Sequence, residues 1–452
     1  MKIQKKLIDK IGGININNKI IIFICLSLIF SSLHVTGIFI EKKNNFLEGS
    51  WTKDFDDFKI LYLNGTHYEM GYQHGYLLAD EIGENFRAFL NYTETFGWNY
   101  SFYVWLWNEI KDYVPQEYKD EIEGIADGSG ISILNISINN IMADWFHCCN
   151  AAAWGPATID NKLYHIRSFD WSMKMIDPIT GRGLRENQIL MIRNPKNGYA
   201  SVEPSFSGLI GGPGGINENG IGIGILCSYC FDEINSTHAE GIPVTFRVKM
   251  VLDKAANVSN ALEIINSNKT SGYNFIISDK DIAYAVEQTL THSYNGTWDD
   301  PVESNRPFWS IDHVVRRTNI FINPNLAKLQ RKYYNPSIFP LIMMFLKINP
   351  VGYKSIFSSS TSYLHYRTLS KQIEKLWGYI ELNNSMNMLR DIYSGKTDIR
   401  FFIVQRINYY IPLHQWVACP ETGDILISFA SVDKNAHENK VYHFNIYDLL
   451  NI

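Results

Sequence analysis

Cysteine is scarce: the 452 residues hold six. That excludes a disulfide scaffold, which needs many bridges in a short chain. Long basic runs are missing and the net charge is −5, so a nucleic-acid partner is not expected. The one CxxC, Cys227 and Cys230, has no second CxxC or histidine pair beside it, and His147, His165 and His365 form no spaced ligand set. No metal and no cofactor are therefore expected. The glycine-rich "GGPGG" at 211–215 fits neither the dinucleotide nor the P-loop pattern. Its glycines are expected to let backbone pass close to a site rather than to cradle phosphate. No repeats or long linkers follow residue 50.

What is present begins at the N-terminus. Lysines in "MKIQKK" precede the apolar "IIIFICLSLIF" and then "SSLHVTG". A basic start, an apolar stretch of about a dozen residues and a small-residue exit describe a secretory signal over 1–37. A signal anchor is the alternative, although polar Ser31, Ser32, His34 and Thr36 interrupt a span that wants roughly 20 apolar residues. N-x-[ST] triplets begin at Asn64, Asn91, Asn99, Asn135, Asn235, Asn257, Asn268, Asn295 and Asn383. Behind a signal they suggest a glycosylated protein that is secreted or lies in the lysosomal lumen.

That setting makes the cysteines informative. Cys25 leaves with the signal, so Cys148, Cys149, Cys227, Cys230 and Cys419 remain. An odd number in an oxidising compartment leaves a thiol unpaired, and catalysis is one reason to keep it. Cys227 and Cys230 read as core residues or a short disulfide.

The apolar fraction of 46% suits a sizeable core. A strand is expected at Lys59–Leu63, then helices to about residue 147. From 148 the texture changes to hairpins, with Asp160-Asn161, "PKNG" and Asn219-Gly220 as turns. A helix is expected over Pro243–Asn266, and more near 362–394. Helices, then hairpins, then helices suggest α+β packing of antiparallel sheets under helices. The apolar "SIFPLIMMFLKI" at 337–348 is too short to span a bilayer. It reads as a buried segment, or as a lid admitting an acyl chain through peripheral membrane contact.

The stretch "HCCNAAAWGPATIDNKLYHIRSFDW" at 147–171 concentrates chemistry. Small neighbours leave a cysteine sulfur approachable, and a guanidinium near it favours thiolate. Arg167 and Asp170 are three apart, so a regular strand points them to opposite faces. A bend near Phe169 would be needed to gather both. The plain alternative is a buried apolar cysteine beside an ordinary ion pair.

The pattern C-x-x-x-A-A-W-G-x-A-T-x-D-x-K-L-x-H-x-R-x-x-D-W resembles the penicillin acyltransferase-like family of N-terminal-nucleophile cysteine hydrolases, and more distantly acid ceramidase. "GTHYEMGYQHGYLL", "GGINENGIGIGI", "RTNIF" and "LHYRTL" resemble further segments of that family in the same order. The resemblance implies a four-layer αββα sandwich made as a proenzyme. Cleavage between His147 and Cys148 would divide it into a 38–147 part and a 148–452 part, with 58–147 completing the one domain. It puts forward Cys148 as nucleophile, Arg167 to favour thiolate, Asp170 to hold the new α-ammonium, and Asn319 as an oxyanion-hole side chain. Arg367 is a further candidate, and Cys149 becomes the nucleophile if the cut falls between the two cysteines. Cys227 stands where relatives often carry asparagine, which removes one side-chain contact. The implied activity is hydrolysis or acyl transfer at a non-peptide C–N amide, with a small-molecule or lipid amide as partner, in one version an N-acyl lipid. A non-catalytic glycoprotein on the same scaffold is the alternative. The sequence fixes no oligomeric state.

Overall fold

The computed structural model describes residues 46–141, 147–228, 230, 241–270, 272–330, 353–408 and 410–450. The signal segment 1–37, the Asn235 triplet and the apolar run 337–348 lie outside them. In chain order the first strands are β1 (Trp51–Phe55), β2 (Phe58–Gly65), β3 (His147–Gly155), β4 (Asn161–Ser172), β5 (Gln188–Pro195), β6 (Ser201–Phe206), β7 (Gly214–Asn217) and β8 (Gly222–Cys227). Then come β9 (Tyr273–Ser278), β10 (Ala283–Gln288), β11 (Ser293–Gly296), β12 (Val314–Arg317), β13 (Tyr410–Ala418), β14 (Asp424–Phe429) and β15 (Tyr442–Asn445).

They form two sheets. One runs β1-β2-β5-β6-β7-β8-β9-β10-β11, the other β12-β3-β4-β13-β14-β15. Pairing is antiparallel apart from β2 with β5, a connection that spans the intervening helices and the β3–β4 hairpin. Alternation along each strand builds the layers. On β2, Ile60 and Tyr62 pack with Trp416 and Ile427 of the second sheet. Leu61 and Leu63 pack with Met70, Ile82 and Phe86 of the N-terminal helices. On β3, Ala151 and Ala153 meet Leu369, Met386 and Leu389 of the later helices, while Ala152 and Trp154 meet Ile276 and Ala285 of the first sheet. Helix, sheet, sheet and helix therefore stack as the expected αββα sandwich. Because both faces of the strands are covered, they read as near-continuous apolar runs.

The helices carry their own signals. Thr66 and Glu69 form a capping box at the start of the His67–Leu77 helix. That helix crosses Gln116–Ser129 so closely that a Cβ at Gly71 would lie 2.1 Å from the Glu121 carbonyl oxygen. One at Gly124 would lie 2.2 Å from that of Tyr68. The glycine spacing in "EMGYQHG" is thus explained by helix contact. The helix expected over Pro243–Asn266 is instead two, Val244–Lys254 and Val258–Asn266. The break falls where the Asn257 side chain accepts from the Asn260 N–H and starts the second. Among the described residues no helix is long and apolar enough to cross a membrane.

Candidate active site

The site grows from the β3–β4 hairpin, where Cys148 pairs with Phe169 and Asn150 with Arg167. Consecutive residues of β3 point to opposite faces, so the twin cysteines separate. Cys148 joins the cluster containing Phe169, Ile223 and Ile225. Cys149 joins the helix-covered cluster with Leu364, Met386 and Tyr393. Both are buried, as are Cys227, Cys230 and Cys419, and no disulfide links these five to one another. The short disulfide considered for Cys227 and Cys230 is therefore not formed.

Arg167 points to the same face as Cys148. Its Nη2 lies 3.8 Å from Cys148 Sγ and donates to the Ile225 carbonyl at 2.7 Å and the Pro213 carbonyl at 3.2 Å. Among the described residues its Nε and Nη1 have no hydrogen-bond partner. Glycine makes this placement possible: a Cβ at Gly224 would meet Asn150 Nδ2 at 2.2 Å and Arg167 Nη1 at 2.8 Å. The glycine-rich segment thus passes close to the site, as its composition suggested. A buried chain of hydrogen bonds fixes the hairpin against the first sheet. Asn150 Nδ2 donates to the Gly224 carbonyl at 3.1 Å, and Asn150 Oδ1 sits 2.9 Å from His165 Nε2. His165 Nδ1 is 2.7 Å from Ser278 Oγ. Burial, with Arg167 nearby, holds His165 down to about 3, so the ring is neutral.

Asp170 does not join Arg167 on one face. β4 runs unbroken through Phe169, and an irregularity lies opposite it on the partner strand, between Pro412 and His414. Asp170 instead faces the helices. Tyr393 donates its hydroxyl to Asp170 Oδ2 at 2.6 Å, and Ser168 donates to Oδ1 at 2.8 Å. His365 Nε2 lies 3.1 Å from the Tyr393 hydroxyl, and Cys149 Sγ lies 3.7 Å from it. Burial raises the Asp170 carboxyl to about 7, against the pull of those hydrogen bonds and of Arg167.

Asn319 reaches Cys148 from the segment after β12. Its Oδ1 accepts the Cys148 backbone N–H at 2.7 Å, and its Nδ2 donates to the Cys227 carbonyl at 2.8 Å. Both partners are backbone groups, so the orientation of the amide is fixed. In the uncleaved chain the Asn319 oxygen is thus an acceptor for the Cys148 nitrogen. Arg367 is not brought to the others: it is partly exposed, with Nη1 3.6 Å from Asp398 Oδ2. Tyr393, His365 and Ser168 were not singled out in the sequence. Ser168 sits two residues from Asp170, which is the one local signal that could have found it.

The arrangement can favour a sulfur nucleophile in one state and not in the other. Burial pushes the Cys148 thiol up to about 12, opposed by Arg167. Burial pushes Cys149 up further, with the Asp170 charge adding to it. At neutral pH both sulfurs are therefore protonated in the intact chain, and a base is needed. Among the described residues no cluster of side chains could hold a metal.

Against this geometry stand the known relatives. Residues 160–399, more than half of the chain, match the family described as acyl-coenzyme A:6-aminopenicillanic acid acyl-transferase. The match includes Arg167, Asp170 and Asn319 and begins after Cys148. Protein dcd1A of Dictyostelium discoideum is 26% identical over 392 residues, 78% of each chain. Protein dcd1B of the same organism is 24% identical over 48% of this chain and 47% of its own. Among solved structures, a Caenorhabditis elegans N-acylethanolamine-hydrolyzing acid amidase ortholog has a TM-score of 0.39 at 13% identity, covering 65% of this chain and 100% of that one. A conjugated bile acid hydrolase variant from Clostridium perfringens has a TM-score of 0.36 at 14% identity, covering 66% and 97%. The chain belongs to the acyl-coenzyme A:6-aminopenicillanic acid acyl-transferase family, and it is an enzyme of the N-terminal-nucleophile hydrolase class, working through a nucleophile on amide or acyl substrates.

Proposed function

We propose that the chain cuts itself between His147 and Cys148 and then cleaves a non-peptide C–N amide through a Cys148 thioester. The observation that carries this reading is the convergence on one residue: Arg167 at the sulfur of Cys148 and Asn319 at its nitrogen. Cys149 has no such pair.

In self-cleavage, Cys148 Sγ attacks the His147 carbonyl carbon. The peptide C–N bond breaks, the nitrogen takes the thiol proton, and a thioester forms. Water then releases a His147 carboxylate and the free thiol. The new α-amine titrates near about 8, far below a lysine, so it can serve as base for its own sulfur. Its extra protons need acceptors: Asn319 Oδ1 already holds one, and Asp170 is the adjacent carboxylate. Arg167 stabilises the thiolate, whose attack on a substrate carbonyl yields the acyl-enzyme. The Asn319 NH2 group and backbone N–H groups near Cys227 supply charge stabilisation for the tetrahedral oxyanion. Water releases the acid, or an amine takes the acyl group. The family's description names an acyl donor and an amine acceptor, which supports keeping transfer beside hydrolysis.

For substrate we favour an N-acyl lipid amide, and for location a secreted or lysosomal lumen. Asn91, Asn99, Asn257, Asn268, Asn295 and Asn383 are exposed and so accessible to glycosylation; Asn64 and Asn135 are half-buried. The test is a panel of N-acyl amides of graded chain length, given to the purified wild-type protein and to Cys148→Ala. Turnover of long-chain amides, absent in Cys148→Ala, supports the reading. Unchanged processing in Cys148→Ala, with no turnover of any amide by the wild type, identifies a non-catalytic protein on the same scaffold.

A further inference from the structure

Beside the end of β4 that carries Asp170, where Pro412 pairs with Asp170, lies a cavity of about 120 Å³. Tyr393, whose hydroxyl bonds Asp170, forms part of its wall. The polar lining comes from Gln405, Arg406, Asn435 and His437, and the apolar lining from Met173, Tyr410, Ile411 and Pro412. A cavity of this size takes a solute of about six heavy atoms, since an engineered one of about 150 Å³ holds benzene.

Two of its polar side chains have unmet hydrogen-bonding capacity. Gln405 is 7% exposed and, among the described residues, its Nε2 has no partner. His437 is 8% exposed and, among the described residues, its Nδ1 has no partner. Groups so buried are normally satisfied, and leaving them unmet is costly. Arg406 is the charged residue of the lining; it is exposed, with its guanidinium carbon 4.7 Å from the centre of the Phe402 ring. Burial, with Arg390 and Arg406 nearby, holds His437 down to about 4, so it stays neutral and can donate without bringing its own charge. One cationic fork, one amide NH2 and an imidazole beside an apolar floor match an anion with a short hydrocarbon body.

The geometry points to a second ligand site, a pocket for a small monocarboxylate held by Arg406, Gln405 and His437, with Tyr393, the hydrogen-bond partner of Asp170, in its wall. Neither Cys148 nor Asp170 lines it. An occupant there packs against the side chain that orients the Asp170 carboxyl.

The test is saturation-transfer NMR of butyrate with the full chain, read as a titration. Butylamine and 1-butanol serve as probes of the same shape without the negative charge. The expected result is saturable butyrate binding with no measurable butylamine binding, and weakening of at least tenfold in both Arg406→Gln and Gln405→Leu. Arg400→Gln, on the same helix but paired with Asp398, should bind butyrate as the wild type does. Because Arg406 is exposed, Arg406→Gln is expected to fold, and its thermal melt checks that. Absence of saturable butyrate binding, equal binding of 1-butanol, or unchanged affinity in both pocket variants overturns the assignment and leaves a hydrated cavity. The readout is binding alone, so it stands or falls separately from amide turnover.

Discussion

Arg193 and Arg167 are both fully buried arginines on strands of the sandwich, and their surroundings are opposite. Arg193 is clasped by Glu121 through both terminal nitrogens. Burial works against its charge, yet Glu121 more than offsets that, and its pKa is raised. Arg317 is held the same way, by Glu287 at 2.8 Å and Glu303 at 2.6 Å. Arg167 has carbonyl oxygens and a thiol instead, and its pKa is lowered by burial despite the nearby sulfurs and Asp170. Asp170, the carboxylate that could have neutralised it, is turned to Tyr393 and Ser168. Arg193 and Arg317 are neutralised by carboxylates, whereas Arg316, also fully buried, is held by Ser370 and the Trp309 carbonyl. On the proposed reading, Arg167 keeps its charge for a thiolate at Cys148. Such a departure from local satisfaction is expected where a fold gives up stability for chemistry.

That contrast can be broken experimentally. The largest effect belongs to the sulfur itself: Cys148→Ala abolishes both the two-fragment pattern on a denaturing gel and amide turnover. Next, Arg167→Met should cost roughly 10²–10³ in kcat with little loss in Tm, because it removes a buried cation that no carboxylate neutralises. Arg193→Met should do the reverse. It leaves the buried Glu121 carboxylate with only His67 as a partner among the described residues, at about 3–5 kcal/mol of stability, and it lowers Tm sharply while molecules that remain folded keep their activity. Equal Tm losses in the two variants would erase the distinction drawn between them.

A smaller effect is tied to pH. Asp170 titrates near 7 when folded, against an ordinary value of 3.8. Between those values the folded chain binds more protons than the unfolded one, so stability falls as pH rises. For the uncleaved Cys148→Ala protein this amounts to roughly 4 kcal/mol lost from pH 4 to above 7. Denaturant melts should show it, and Asp170→Asn in the same background should flatten it. Tyr393→Phe removes one hydrogen bond to the carboxylate, worth about 1.5–3 kcal/mol because the acceptor is charged, and should move the Asp170 titration still higher. The smallest effect is expected of Cys149→Ser, which should process and turn over substrate within about threefold of wild type. A severe loss there would shift the chemistry to the helix-covered face.

Much of the sandwich was legible in the sequence because its signals are local. Turn residues such as Asn161, with φ of +64°, mark hairpins, and buried strands announce themselves as apolar runs. Arg167 and Asp170 were legible because they share one strand with fixed alternation. The alternation even held where a bend had been invoked against it. Tyr393 and His365 were not legible. They lie on separate helices, and Tyr393 meets Asp170 across 223 residues of chain, a contact that only the packed layers create. The role of Asn319 was half legible: the residue was found, but its amide orientation depends on two backbone groups from β3 and β8. The split of the 243–266 helix was legible in principle, since asparagine favours helix starts, but apolar spacing continues across the break.

The most direct test of the account is N-terminal sequencing with intact mass on the purified, deglycosylated protein. The account predicts two fragments, one beginning at Cys148 with a free α-amine. A fragment beginning at Cys149, or a single intact chain that still turns over amides, would contradict it.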